Sequence, residues 1–235
     1  MTDPPTNPLP FVVVCTARCG AGTLTRWLRE AGVNATHEKL FANHGGPFAE
    51  KKRLEYPESD CEVSWCAAPW LMKSRLILTS CVVHLMRNPL GTLDSLVNNV
   101  PMFGDRAVAG LGERACVSML IEKQCPVVYQ HEDPYMQAAE YMLAWHEMMM
   151  DGYASRAVMC HRIEDNPNKL FKKMRGVQES EKWRCLFPGV PVRDIEWQPT
   201  TRRVYTWDDA KQHLPARLLY GLMRLAYRWG YECEF

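Results

Sequence analysis

The sequence predicts an α/β fold built on a mostly parallel sheet with helices on both faces. Three observations predict it. Short β-branched apolar runs are too continuous for a strand with one wet face, a helical apolar stripe follows each of the clearest ones, and glycine or proline marks the turn between. The chain has 235 residues, 47% of them hydrophobic and 23% charged, which is ordinary globular composition. That length suits one domain, expected over residues 11–235 behind a flexible leader at 1–10, where four prolines stand among few large apolar groups.

The elements follow in order. Phe11 to Thr16 reads as a strand covered on both faces, and ARCGAG turns the chain into a helix carrying Leu24, Trp27, Leu28 and Ala31 until Gly32 stops it. Val33 to Thr36 reads as a short second strand beside the first loop. Phe41 to Pro57 reads as a loop, and Glu62 to Met72 shows no single period. Cys81 to Met86 repeats the first pattern, ending in Arg87-Asn88-Pro89 before a helix with Leu93, Leu96, Val97 and Val100 on one face. Further on come a helix near Tyr135 to Met150, a strand at Ala157 to Arg162, a helix opened by Asn166-Pro167, and a last helix presenting Leu214, Leu218, Leu222 and Ala226.

Composition narrows the function. Lys and Arg total 28 against 27 Asp and Glu, a formal charge of +1, so no global field holds nucleic acid or an anionic membrane. An anionic ligand must be gripped by a local site. No stretch of about 18 apolar residues occurs and the first residues carry no basic group before their apolar run, so neither a membrane span nor a signal peptide is expected, and the cytoplasm is the expected compartment. The 10 cysteines are scattered, with no CxxC pair to start a structural zinc site, and read as reduced thiols.

Ligands of such sheets bind where strands end and helices begin. The first of these loops, Thr16 to Leu24, carries Arg18, Gly20, Gly22 and Thr23. The glycines let the backbone curl so that N–H groups point inward, and the following helix adds its positive end, an arrangement suited to phosphate. A plain strand-to-helix turn with one exposed arginine would look the same. The kinase and hydrolase motif GxxxxGK[ST] is absent, because no lysine follows Gly22. In the second loop, His84 to Ser95, Arg87 stands at the strand end and Ser95 about two turns along the helix, so both can approach one phosphate.

Together the two loops resemble the signatures of the sulfotransferase superfamily, which uses 3'-phosphoadenosine 5'-phosphosulfate (PAPS) and releases adenosine 3',5'-bisphosphate (PAP). Its [KR]-S-G-T-[TG] loop is matched by Arg18, Gly20 and Gly22, and its R-[ND]-P segment with a later serine by Arg87, Asn88, Pro89 and Ser95. AGVNATHEK, CEVSWCAAPWL, HRIEDNPNKLF, TTRRVYTWDDA and LAYRWGYE resemble further segments of the bacterial sulfotransferase-like branch, in the same order. The resemblance implies a P-loop-like fold, PAPS as sulfuryl donor, no metal, and a small-molecule, glycan or lipid acceptor bearing a hydroxyl or amine. It also implies Arg18, Cys19, Gly20, Ala21, Gly22 and Thr23 at the 5'-phosphosulfate, Arg87 and Ser95 at the 3'-phosphate, and Arg202 and Arg203 closing over that phosphate. Glu38 is the expected base, with His37 second; on an extended segment the two would face opposite ways, leaving one toward the sulfur. Cys19 and Ala21 stand where the family has hydroxyl side chains, and a thiol is the weaker donor. Weaker donor binding is therefore expected, and the alternative readings are a protein that binds PAP or PAPS without transfer, or a small-molecule kinase on a related sheet.

Overall fold

The computed structural model describes residues 10–39, 41, 59–71, 80–99, 103, 113–153, 158–179, 192–197 and 205–233. The expected leader lies outside these but for Pro10, as does nearly all of the 41–57 loop. An α/β architecture is present, with five strands in the order β2-β3-β1-β4-β5 and every pairing parallel. They are β1 (Phe11–Val14), β2 (Ala35–His37), β3 (Cys61–Val63), β4 (Cys81–Met86) and β5 (Val158–Arg162). All residues of β1, β3 and β4 are buried, so both faces of the sheet centre are covered, as continuous apolar runs demand.

Helix α1 (Ala21–Glu30) buries Leu24, Trp27 and Leu28 and leaves Arg26, Arg29 and Glu30 outside. Helix α2 (Pro89–Asp94) runs on into a wider π turn over Ser95–Asn99. Then come α3 (Glu113–Gln124), α4 (Pro134–Gly152), α5 (Pro167–Glu179), α6 (Trp207–His213) and α7 (Ala216–Arg228). Asp133 starts α4 by accepting the Tyr135 and Met136 N–H groups at 2.8 and 3.0 Å. Thr206 and Asp209 cap the start of α6 reciprocally, and the extended Leu214 and Pro215 separate its end from α7, where the sequence suggests only one helix.

Three expectations change. The second strand, expected over Val33 to Thr36, runs over Ala35–His37 and is separated from β1 by β3. Within the span that shows no single period, β3 is too short to display alternation, and it carries a charge at its centre, Glu62. That carboxylate is fully buried and bonded by the Thr36 hydroxyl of the neighbouring strand, which ties β2 to β3. The stretch between α2 and α4, for which the sequence suggests no element, contains α3 and a short 3-10 turn at Pro126–Gln130. Apolar residues of α3 spread over well more than half of its circumference, so no narrow one-sided stripe announces it.

The strand order reverses at β1. From β1 the chain moves out to β2, returns as β3, then crosses to β4 on the other side, so the connections part above the carboxyl end of β1, where such sheets hold their ligands.

Candidate functional site

Three segments meet above β1. The turn after it contains Arg18 at φ 64° and Gly20 at φ 96°. A left-handed glycine followed by the helical Ala21 lets successive N–H groups converge on one point. Gly20 begins α1 without any side-chain cap, and the first turn holds no acidic residue, so the N–H groups of Ala21, Gly22 and Thr23 have neither an intrahelical carbonyl nor, among the described residues, a capping side chain. The space at Gly20 admits no side chain: a Cβ would stand 2.7 Å from Ile163 Cγ1. Ile163 is carried there by its own N–H bond to the Met86 carbonyl, 2.8 Å.

The non-glycine residues with positive φ, among those described, are Arg18 and Glu38. A left-handed conformation costs an ordinary residue about 1–2 kcal/mol, so surrounding contacts must hold it. Around Arg18 they are plain. Its carbonyl accepts from Arg87 Nη1 at 2.8 Å and its Nε donates to Ser95 Oγ at 3.2 Å. On either side, the Ala17 N–H donates to the Tyr141 hydroxyl of α4 at 2.9 Å, and the Cys19 thiol donates to the Leu85 carbonyl at 3.2 Å.

The two signature loops therefore touch. Arg87 folds forward over the start of α2, where a Cβ on Gly91 would lie 3.5 Å from its Nε and Nη2. Ser95 is buried against Arg18 rather than facing solvent. Behind Arg87, Glu164 accepts the Asn88 N–H at 2.9 Å and the Tyr231 hydroxyl at 2.7 Å. Tyr231 is in turn covered by Arg162, whose guanidinium carbon is 5.3 Å from the ring centroid. Tyr141, Glu164 and Tyr231 received no role from the sequence. Glu164 and Tyr231 stand in segments that read as motifs and Tyr141 in an expected helix, but what they hold lies far along the chain.

Cys19 and Ala21 do not turn side chains toward the turn's mouth. The thiol is buried in the core, where burial pushes its pKa well up despite the nearby Arg87 guanidinium, so it stays protonated. The Ala21 methyl is also buried. Gly22 is exposed and Thr23 half-buried, both in the first turn of α1. Arg202 and Arg203 lie outside the described residues.

The third segment is the end of β2. His37 and Glu38 do not face opposite ways: His37 Nε2 is 3.5 Å from Glu38 Oε1. The left-handed φ of Glu38, 51°, breaks the extended alternation and swings its carboxylate to the histidine's side, while its N–H still bonds the Val63 carbonyl at 3.1 Å. The imidazole lies over the first turn of α1, since a Cβ on Gly22 would be 3.8 Å from His37 Cε1. Burial first, and the charge of Arg29 second, draw the His37 pKa below its ordinary value, leaving it neutral at pH 7. Glu38 reaches toward β1 and β3: after burial and Cys19 its charge pushes up the Cys15 thiol, and after burial alone the Cys66 thiol.

Chemically, the site offers an uncapped helix start, two guanidinium groups, two hydroxyls and an imidazole–carboxylate pair within one cluster. Among the described residues no group of three or more His, Cys, Asp or Glu is arranged for a metal ion, and no helix is long and apolar enough to cross a membrane. No family model matches the chain, and no curated protein does. Among solved structures it is similar to the crystal structure of a sulfotransferase from Alicyclobacillus acidocaldarius, at 16% identity and a TM-score of 0.47, over 97% of this chain and 98% of that one. A likeness of that size adds no weight to the residues themselves.

Proposed function

We propose that the protein is a PAPS-dependent sulfotransferase acting on a hydroxyl or amine of a small-molecule, glycan or lipid acceptor. The observation that carries this reading is the bonded chain Arg87–Arg18–Ser95, which joins two turns whose residues match the two donor signatures. The donor set fits the ligand: an uncapped helix start and two fixed guanidiniums suit a molecule with negative charge at both ends of a nucleoside. PAPS supplies a sulfuryl group that leaves its bridging phosphate oxygen as the acceptor oxygen or nitrogen bonds to sulfur.

The chain's residues do the rest. Arg18 and the N–H groups of Gly20 to Thr23 oppose the charge that grows on the departing phosphate, and their fixed placement favours the transition state over the ground state. Arg87 and Ser95 hold the 3'-phosphate, with Arg202 and Arg203 assigned to the same group. Glu38 takes the acceptor's proton, and neutral His37 orients that carboxylate. With the His37 pKa below its usual value, transfer is expected to hold constant from pH 8 past 6.5 and to fall only in more acidic buffer.

A second reading keeps the nucleotide grip without transfer. It is favoured by Cys19 and Ala21, whose buried side chains present no hydroxyl to the ligand. Two measurements separate the readings. Titration calorimetry with PAP should show binding without magnesium, whereas preference for ATP with magnesium would point to a kinase. Radiolabelled transfer from PAPS into an acceptor panel should then drop by roughly 100-fold or more in Glu38→Gln with the fold intact. Unchanged transfer removes Glu38 from the mechanism, and PAP binding with no transfer to any acceptor leaves the binder.

A further inference from the structure

Away from the candidate site, between the sheet and helices α4 and α7, lies a cavity of about 220 Å³ lined by His84, Leu143, His146, Glu147, Met150, Leu225, Arg228 and Trp229. His84 on β4 precedes Arg87 by three positions, on the order of 10 Å, and His146 follows Tyr141 by five positions along α4, about 7.5 Å. The cavity is thus set back from the turn that Tyr141 and Arg87 support.

Its inner wall is polar where a core wall should not be. His84 and His146 are 2% and 3% exposed, and His84 Nε2 and His146 Nδ1 are buried with no hydrogen-bond partner among the described residues. The cost of leaving such atoms unpaired is on the order of 1–3 kcal/mol each. The rings sit together, with centroids 5.2 Å apart, and Trp229 closes over both edge-on, 4.3 Å from His146 and 5.6 Å from His84.

Charge excludes most guests. Burial, and then Arg228, pulls the His84 pKa to about 4, and burial with His84 beside it holds His146 well below its ordinary value, so both rings are neutral at pH 7. Each neutral ring has one donor and one acceptor nitrogen, and a hydroxyl, which both donates and accepts, satisfies either tautomer. At the rim Glu147 and Arg228 oppose each other in sign, so the opening selects neither anion nor cation. The remaining wall is apolar and aromatic, formed by Leu143, Met150, Leu225 and Trp229. Pockets for drug-sized ligands run to about 300–1,000 Å³, so this smaller volume suits a single ring.

We infer that the cavity binds a neutral one-ring phenol, with its hydroxyl on the unpaired His84 and His146 nitrogens and its ring among Leu143, Met150, Leu225 and Trp229. This is independent of the donor site and stands or falls apart from it.

The test uses the full chain with phenol as probe and toluene and benzoate as controls. Calorimetry should show one phenol per chain, with toluene at least about tenfold weaker and benzoate weaker still. Imidazole nitrogen resonances of His84 and His146 should shift with phenol and not with toluene. Leu225→Trp, which fills the cavity, should abolish phenol binding and leave the titration with PAP unchanged. If that variant does not fold, a wild-type crystal soaked in phenol should show the ring beside Trp229. Equal affinity for phenol and toluene, phenol binding retained in folded Leu225→Trp, unshifted histidine resonances, or phenol density only elsewhere overturns the proposal.

Discussion

The turns after β1 and β4 solve the same geometric problem in opposite ways. After β4, Asn88 closes the start of α2 with its own side chain, accepting the Leu90 N–H at 2.9 Å, and Pro89 removes another donor. After β1, Gly20 adopts a left-handed φ, offers no cap, and leaves the first N–H groups of α1 open. The first turn therefore has more backbone donors to spare, and the second contributes a side chain, Arg87, which reaches across to grip the first turn's carbonyl. One turn is the cradle and the other is its brace. The strain is placed accordingly: Arg18 is left-handed, while Asn88 sits at a negative φ, −45°.

Substitutions break or sharpen this contrast. Gly20→Ala should do the greatest damage, because the methyl meets Ile163 at 2.7 Å and φ is 96°. A loss of about 2–4 kcal/mol in urea unfolding is expected, with PAP binding lost in whatever remains folded. Arg87→Ala removes the brace: calorimetry with PAP should show roughly 10- to 100-fold weaker binding, mostly without loss of fold, and unchanged affinity would mean the second turn is no part of the site. In the same turn Asn88→Ala should cost about 1 kcal/mol of stability and little PAP affinity, since its side chain caps a helix rather than meeting ligand. The smallest change should come from Gly22→Ala. There φ is outside the left-handed range and the nearest contact is an ordinary 3.8 Å, so stability should hold or rise by up to about 1 kcal/mol. Gly20 and Gly22 sit two residues apart in one motif, and their opposite responses would show that only the first is required by backbone shape.

What was legible in the sequence was whatever is encoded within a few residues. β1, α1, β4 and the Pro-led starts of α2 and α5 fall where apolar periodicity and turn chemistry put them. The charged centre of β3 and the broad apolar arc of α3 hid both elements, because neither presents the narrow one-sided face that pattern reading needs. Glu38 is the sharpest case at the site. Alternation on an extended strand sends it away from His37, and a single left-handed φ, invisible in residue types, brings the two within 3.5 Å.

By itself the sequence determined the class of fold, the two loaded turns and the residue types that can grip an anion, because these depend on spacing along the chain. Tertiary structure alone decided that β3 lies between β2 and β1, that Arg87 braces a carbonyl 69 residues away, that Ser95 serves an arginine 77 residues away, and that Tyr141 holds a turn 124 residues before it. The physical reason is the same in each case: a hydrogen bond has a reach of about 3 Å, and which distant groups come within it is set by the order of strands and the path of crossovers, which no local pattern records.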